Sequence, residues 1–233
     1  MPATKGNVAA LILAGGLSSR MGREKSSLLI ESRPLIAWAY QTACRFTSHV
    51  YISVHDSKMI GRLSPLLPAN TTFLTDIYDG PRSVLLALLS CLTEVRENRV
   101  AVFPVDSPFI DKNLVMKMIS RSHEFDLTIP IWPDGKLEII HAIYNRQAVL
   151  PIIQDLWNEG TLELWQIPKR TRRTLFVATE ELAELDTSLL SLRDADTPDE
   201  FDSLVSARAA MLHQPTRAYR ASRGRYVRPR RPT

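Results

Sequence analysis

The chain has 233 residues, 45% of them hydrophobic and 23% charged, which suits a soluble globular protein with a substantial core in one α/β domain or at most two small ones. The net charge of +4 belongs to seven arginines near the end (Arg217, Arg220, Arg223, Arg225, Arg228, Arg230 and Arg231); without them 22 basic residues face 25 acidic ones, so the body gives no reason to expect nucleic acid as a partner. No apolar run approaches a membrane span, and Cys44 and Cys91 stand at no metal-ligand or disulfide spacing, which argues against membrane and secreted classes and for a reducing cytoplasm.

In chain order, Val8–Leu13 is an apolar run that empties into Gly15-Gly16. It reads as a buried strand, too short and too weakly charged at its start for a secretory signal. Pro34–Phe46 offers proline at a helix start and apolar residues at helical spacing. His49–Val54 and Thr71–Thr75 read as strands, and Pro81–Val95 as a helix through Val84, Leu85, Leu88, Leu89 and Leu92. Arg99–Val105 is another buried strand, followed by a helical pattern from Asp111 to about Ser120. Phe125–Trp132 and Leu137–Asn145 flank Pro133-Asp134-Gly135-Lys136, the chemistry of a hairpin. Helical patterns follow at Gln147–Trp157 and from Pro198 to about Leu212.

Alternation of strand and helix implies crossover connections. The expected fold is therefore α/β, three-layered, with a mainly parallel doubly wound sheet and one small antiparallel excursion. The domain is expected over 1–213. Residues 214–233, rich in Arg, Pro, Ser and Gly, are expected to be a disordered tail.

The segment Leu11-Ile12-Leu13-Ala14-Gly15-Gly16-Leu17-Ser18-Ser19-Arg20-Met21-Gly22-Arg23-Glu24-Lys25 carries the most chemistry. A strand ending in small residues turns its backbone N–H groups toward an anion. Gly15 and Gly16 allow close approach, and Arg20 and Lys25 add positive charge, which together suit a nucleotide triphosphate. The spacing is neither that of a Walker loop nor that of G-x-G-x-x-G.

L-A-G-G-x-S-x-R-M-G-x-x-K resembles the signature of nucleotidyltransferases of the molybdenum cofactor guanylyltransferase family (MobA-like). Four further segments follow in the family's order: Asp79-Gly80-Pro81, Phe103 to Ile110 around Asp106, Asp134-Gly135 through His141 to Tyr144, and Asp196-Thr197-Pro198-Asp199-Glu200-Phe201. The resemblance spans roughly Val8 to Leu204. It implies a Rossmann-like fold and Mg²⁺-dependent transfer of GMP from GTP to the phosphate of a molybdopterin-type cofactor, with loss of pyrophosphate. GTP and a phosphorylated pterin would be the substrates, and molybdoenzymes or cofactor-carrier proteins the candidate partners.

On the same resemblance, Lys25, Arg20 and Asp106 are catalytic. Asp106 holds the metal, where a hard oxygen ligand suits Mg²⁺. Leu13, Ala14, Gly15, Gly16, Lys25, Asp76 and Asp106 bind the nucleotide. The alternative role for Asp106 is a turn or cap. His141, in an apolar strand, is expected as a hydrogen-bonded core residue. Lys169, Arg170, Arg172 and Arg173 are either a seat for the pterin phosphate or a solvated run. The chain departs from the family pattern at Glu24, Ser53, His55, Arg82, Ser83, Val84, Asp194 and Asp196. Two alternatives stay open: a relative acting on another phosphorylated acceptor, and a catalytically silent subunit that binds nucleotide and delivers cofactor.

Overall fold

The protein is described from a computed structural model covering residues 8–15, 25–195 and 197–213. Gly16, Arg20 and Asp196, together with the expected tail, lie outside the described residues. The strands are β1 (Val8–Leu13), β2 (Leu29–Ile30), β3 (Arg33–Pro34), β4 (His49–Val54), β5 (Thr72–Thr75), β6 (Arg99–Pro104), β7 (Leu127–Ile131), β8 (Ala142–Asn145) and β9 (Thr174–Ala178). The helices are α1 (Leu35–Ala43), α2 (Ser57–Leu63), α3 (Val84–Glu94), α4 (Lys112–Arg121), α5 (Arg146–Asn158), α6 (Gln166–Arg170), α7 (Thr179–Ala183) and α8 (Pro198–His213).

Seven strands form one sheet in the order β5-β4-β1-β6-β8-β7-β9, and β2 with β3 makes a separate two-stranded ribbon. β1 lies at the centre, parallel to β4 on one side and β6 on the other. Its residues alternate between two cores. Val8, Ala10, Ile12 and Ala14 join one, with residues of α1, α2 and α4, while Ala9, Leu11 and Leu13 join the other, with residues of α3 and α5. Period-two alternation with both faces apolar puts helices on both sides, as the continuous apolar run predicts. The fold is the expected three-layer α/β arrangement.

β8 is antiparallel to both of its neighbours, β6 and β7. This is the expected antiparallel excursion, but the expected hairpin over 125–145 is much shorter. Leu137 forms only an isolated bridge with Ile131, and β8 begins at Ala142. The interval Glu138–His141 is a turn, closed by His141 N–H donating to the Glu138 carbonyl. Glu138 is 3% exposed, because Trp132 Nε1 donates to its Oε1 at 2.6 Å and Lys136 Nζ lies 2.8 Å from the same oxygen. A buried carboxylate needs such partners, and meeting that need folds the backbone out of the ladder.

Helix starts shift for similar local reasons. α3 begins three residues after Pro81, because Ser83 is the cap and its Oγ accepts from Leu86 N. α4 is capped by Asp111, whose carboxylate accepts from Asn113 N and Leu114 N. Pro34 sits just outside α1 rather than in its first turn.

The turn between β2 and β3 has two residues, Glu31 and Ser32, with φ of 51° and 64°. Two left-handed residues in a two-residue hairpin are the condition that Asn-Gly meets best. The double variant Glu31→Asn, Ser32→Gly should raise stability by about 1 kcal/mol. For a chain of this size the expected rise in melting temperature is roughly 2–4 °C, read by calorimetry.

Candidate active site

A cleft of about 400 Å³ opens at the carboxyl ends of β1, β4, β5 and β6, the edge where open α/β sheets place their sites. Leu13 ends β1 and Ala14 and Gly15 follow it, Ser53 and Val54 end β4 ahead of His55, Asp76 follows β5, and Pro104 ends β6 ahead of Val105 and Asp106. Arg82, Ser83 and Val84 at the start of α3 form another wall, with Lys25, Ile140 and Asp194 completing it. The floor is tied across strands: Ala14 N donates to the Ser53 carbonyl, and Val105 N to the Leu13 carbonyl.

Six of the residues expected from the sequence therefore meet in one cleft: Leu13, Ala14, Gly15, Lys25, Asp76 and Asp106. Gly15 sits where space is short. A Cβ there would stand 3.1 Å from the His55 backbone nitrogen, so a larger residue would push the ends of β1 and β4 apart by a few tenths of an ångström. Gly80 is similar, with φ of 155° and an added Cβ 2.6 Å from the Trp157 ring. That contact seats the loop leading into α3 against α5.

Lys25 Nζ donates to Asp106 Oδ2 at 2.5 Å. Both side chains are largely shielded, at 15% and 12% exposure. The next helix is capped by Asp111, so the Asp106 carboxylate is committed to Lys25 and the cleft and not to a helix start. Asp76 Oδ2 lies 2.6 Å from His55 Nδ1. The sequence marks His55 only as a departure from a family pattern, and its pairing with Asp76 was not legible there.

Asp194 is the second carboxylate at the Asp106 end of the cleft. Burial, reinforced by the neighbouring Asp106 charge, pushes its carboxyl above the ordinary value, although His141 opposes the shift. Two carboxylates sharing one corner of the cleft are a donor set that a divalent cation neutralises. Among the described residues no group of three His, Cys, Asp or Glu side chains encloses a metal. One or two protein oxygens with the remaining positions left for phosphate and water fit Mg²⁺.

Glu138 lies one layer behind. Burial by itself pushes its carboxyl up, but His141, Lys136 and Trp132 together outweigh burial and hold it down at about 2. A carboxylate depressed from 4.5 to about 2 stabilises the fold fully above the unfolded value and loses that contribution as pH falls toward 2. Glu138→Gln should cost roughly 3 kcal/mol at neutral pH and flatten the stability profile between about pH 5 and pH 2. Urea unfolding across that range reads both.

The basic cluster takes a different position from the one a phosphate seat requires. β9 runs parallel to β7, which is antiparallel to β8, itself antiparallel to β6. Arg172 and Arg173 therefore precede β9 at the sheet edge opposite the cleft. Their backbone N–H groups donate to Asp126 Oδ2, and Arg170 forms a two-pronged pair with Glu159. Lys169 lies over the Trp165 ring, 3.9 Å from its centroid. None of the four lines the cleft.

Fold and cleft define a class: a doubly wound α/β protein with a cleft at the carboxyl edge of its sheet, lined by backbone, a lysine and several carboxylates. A family model described as the MobA-like NTP transferase domain matches residues 10–174, and the chain belongs to that family. The probable molybdenum cofactor guanylyltransferase of Methanosarcina mazei is 26% identical over 203 residues, 84% of this chain and 89% of that protein. The molybdenum cofactor guanylyltransferase of Campylobacter jejuni (strain RM1221) is 33% identical over 109 residues, 47% of this chain and 53% of that one. Among solved structures, the molybdopterin-guanine dinucleotide biosynthesis protein A of Archaeoglobus fulgidus shares the fold with a TM-score of 0.75 at 20% identity, covering 87% of this chain and all of that one. The 4-diphosphocytidyl-2C-methyl-D-erythritolsynthase of Anaerococcus prevotii also shares it, with a TM-score of 0.64 at 12% identity, over 88% of this chain and 96% of that one. No helix among the described residues is long and apolar enough to cross a membrane.

Proposed function

We propose that this protein transfers GMP from GTP to the terminal phosphate of a molybdopterin-type cofactor and so contributes to molybdenum cofactor biosynthesis. The Lys25–Asp106 pair in the cleft carries this reading. It is supported by family membership and by the names of relatives aligned over most of the chain.

An oxygen of the acceptor phosphate attacks the α-phosphorus of GTP. A new P–O bond forms, the bond from the α-phosphorus to the bridging oxygen breaks, and pyrophosphate leaves with the electron pair. Such a reaction needs alignment and charge neutralisation more than a side-chain nucleophile. Leu13, Ala14 and Gly15 bring backbone close to the nucleotide. Lys25 gives up part of its pairing with Asp106 to phosphate oxygens as charge builds on the departing pyrophosphate. Asp106, with Asp194 beside it, would hold Mg²⁺, which supplies further neutralisation of the phosphates. His55 and Asp76, locked together, present a fixed polar edge to the nucleoside.

Thermal shifts with each nucleoside triphosphate, with and without Mg²⁺, test the nucleotide side. Selective stabilisation by GTP with Mg²⁺ is expected, since a ligand stabilises the state it binds. Equal response to all four nucleotides would overturn the choice of guanine. Pyrophosphate release on adding molybdopterin to the GTP complex tests the acceptor, and its absence would redirect the search to other phosphorylated acceptors.

A further inference from the structure

Behind the cleft wall, a hydroxyl and an imidazole join two distant segments of the chain. Ser107 Oγ donates to Asp194 Oδ1 at 2.8 Å and stands 2.8 Å from His141 Nε2. A serine hydroxyl has a single proton. With that proton directed at Asp194, Nε2 is the donor to Ser107. The same nitrogen lies 3.5 Å from Asp194 Oδ1. On the other side of the ring, Nδ1 faces Glu138 Oε2 at 3.6 Å, so the caged Glu138 backs the imidazole.

Serine, histidine and an acid are also the ingredients of a nucleophilic triad. Here Ser107 is completely buried, and its proton points to Asp194 instead of the imidazole. The arrangement presents no nucleophile to the cleft. What it does present is a mount for a carboxylate.

Asp194 needs one. It belongs to neither helix nor strand. The backbone that leads to it turns through Leu189 at φ 47° and is pinned by Ser191, whose N–H donates to Asp186 and whose Oγ accepts from Asp111 N. Those anchors fix the segment three residues before Asp194 and leave the side chain's direction open. Repulsion from Asp106 would turn it away. We propose that Ser107 and His141 are positioning residues that hold the Asp194 carboxylate toward Asp106, so that the two acids grip one divalent cation. The proposal rests on the reading of the cleft given above.

The test uses Ser107→Ala, His141→Gln, His141→Phe, Asp194→Asn and the double variant Ser107→Ala, Asp194→Asn. Two quantities are read: Mn²⁺ affinity, by electron paramagnetic resonance with a GTP analogue that cannot be cleaved between the α- and β-phosphates, and the rate of transfer. Ser107→Ala should weaken Mn²⁺ binding and lower kcat about 10-fold each, the usual scale for groups that orient a ligand, with KM for GTP little changed. In the Asp194→Asn background it should add nothing, because its effect passes through that carboxylate. His141→Gln keeps an N–H for Ser107 and should recover most of what His141→Phe loses. Should Ser107→Ala fail to fold, the two His141 variants carry the same comparison.

A merely structural pair would lower the melting temperature and leave Mn²⁺ affinity where it was. That result, or losses from Ser107→Ala and Asp194→Asn that multiply, overturns the proposal. Wild-type protein that binds Mn²⁺ but transfers nothing would sink the proposed reaction instead, with the clamp still readable in Mn²⁺ affinity.

Discussion

Lys25→Ala is expected to lower nucleotidyl transfer by on the order of 100-fold or more while the protein still folds. Preorganised positive charge aimed at a developing anion is worth this much in enclosed sites. The structure adds a second expectation. Lys25 pairs with an Asp106 carboxylate that is mostly shielded from water, so the variant strands a negative charge beside the triphosphate. Binding of GTP should weaken as well as turnover, and the melting temperature should fall modestly, because the unpaired carboxylate can recover part of its hydration through the open cleft. Added Mg²⁺ should restore more of the binding than of the rate. Pyrophosphate release and a GTP titration at several Mg²⁺ concentrations read these outcomes. Unchanged turnover would remove Lys25 from the site.

Asp106→Asn should show the opposite division between binding and rate. The amide retains the size and one coordinating oxygen but not the charge. Transfer should fall by about 100-fold or more and require higher Mg²⁺, whereas GTP binding should change by a few-fold only, since the metal's largest effect is on charge that appears as pyrophosphate leaves. Lys25 then faces an amide in place of the Asp106 charge, which leaves more of its own charge to the phosphates and favours binding. A structural Asp106 would behave differently: its loss would lower the melting temperature and leave the Mg²⁺ midpoint alone. The cap on α4 belongs to Asp111, and this is the reason to expect the first pattern. An Asn variant with wild-type rate and metal midpoint would refute the assignment.

The parts of this molecule that a reader of the sequence recovers are those governed by local rules. β1 is a continuous apolar run, β4 is rich in β-branched and aromatic residues, and the stripe through α3 has helical period, so each announces itself. β9 is harder to see. Leu175 is only partly buried and Phe176 is exposed, so this edge strand lacks the unbroken apolar signal of its central neighbours. The strand expected over Leu137–Asn145 is cut short by something no period shows, namely a glutamate that finds three partners and turns inward. At the site, Lys25 and Asp106 are legible because they sit in recognisable strings. Asp194 appears in the sequence as a misfit, and Ser107 not at all. Their meaning comes from a juxtaposition across 87 residues, which pattern alone cannot supply.

That separation also bears on when the site comes into being. Lys25 and Asp106 are 81 residues apart, and both have left the ribosome well before Asp194 is made. β1, β4 and β6 can assemble as a parallel core early, since domains begin to fold from their amino-terminal side during synthesis. A nascent chain at that stage already has the glycine turn and the lysine–aspartate pair, but lacks the second carboxylate and the histidine behind it. Long-range closures of this kind are slow, because chain entropy must be lost before the contacts form. Competence for chemistry is therefore a late event in the life of each chain, arriving only when residues 186–195 fold back over an almost finished sheet.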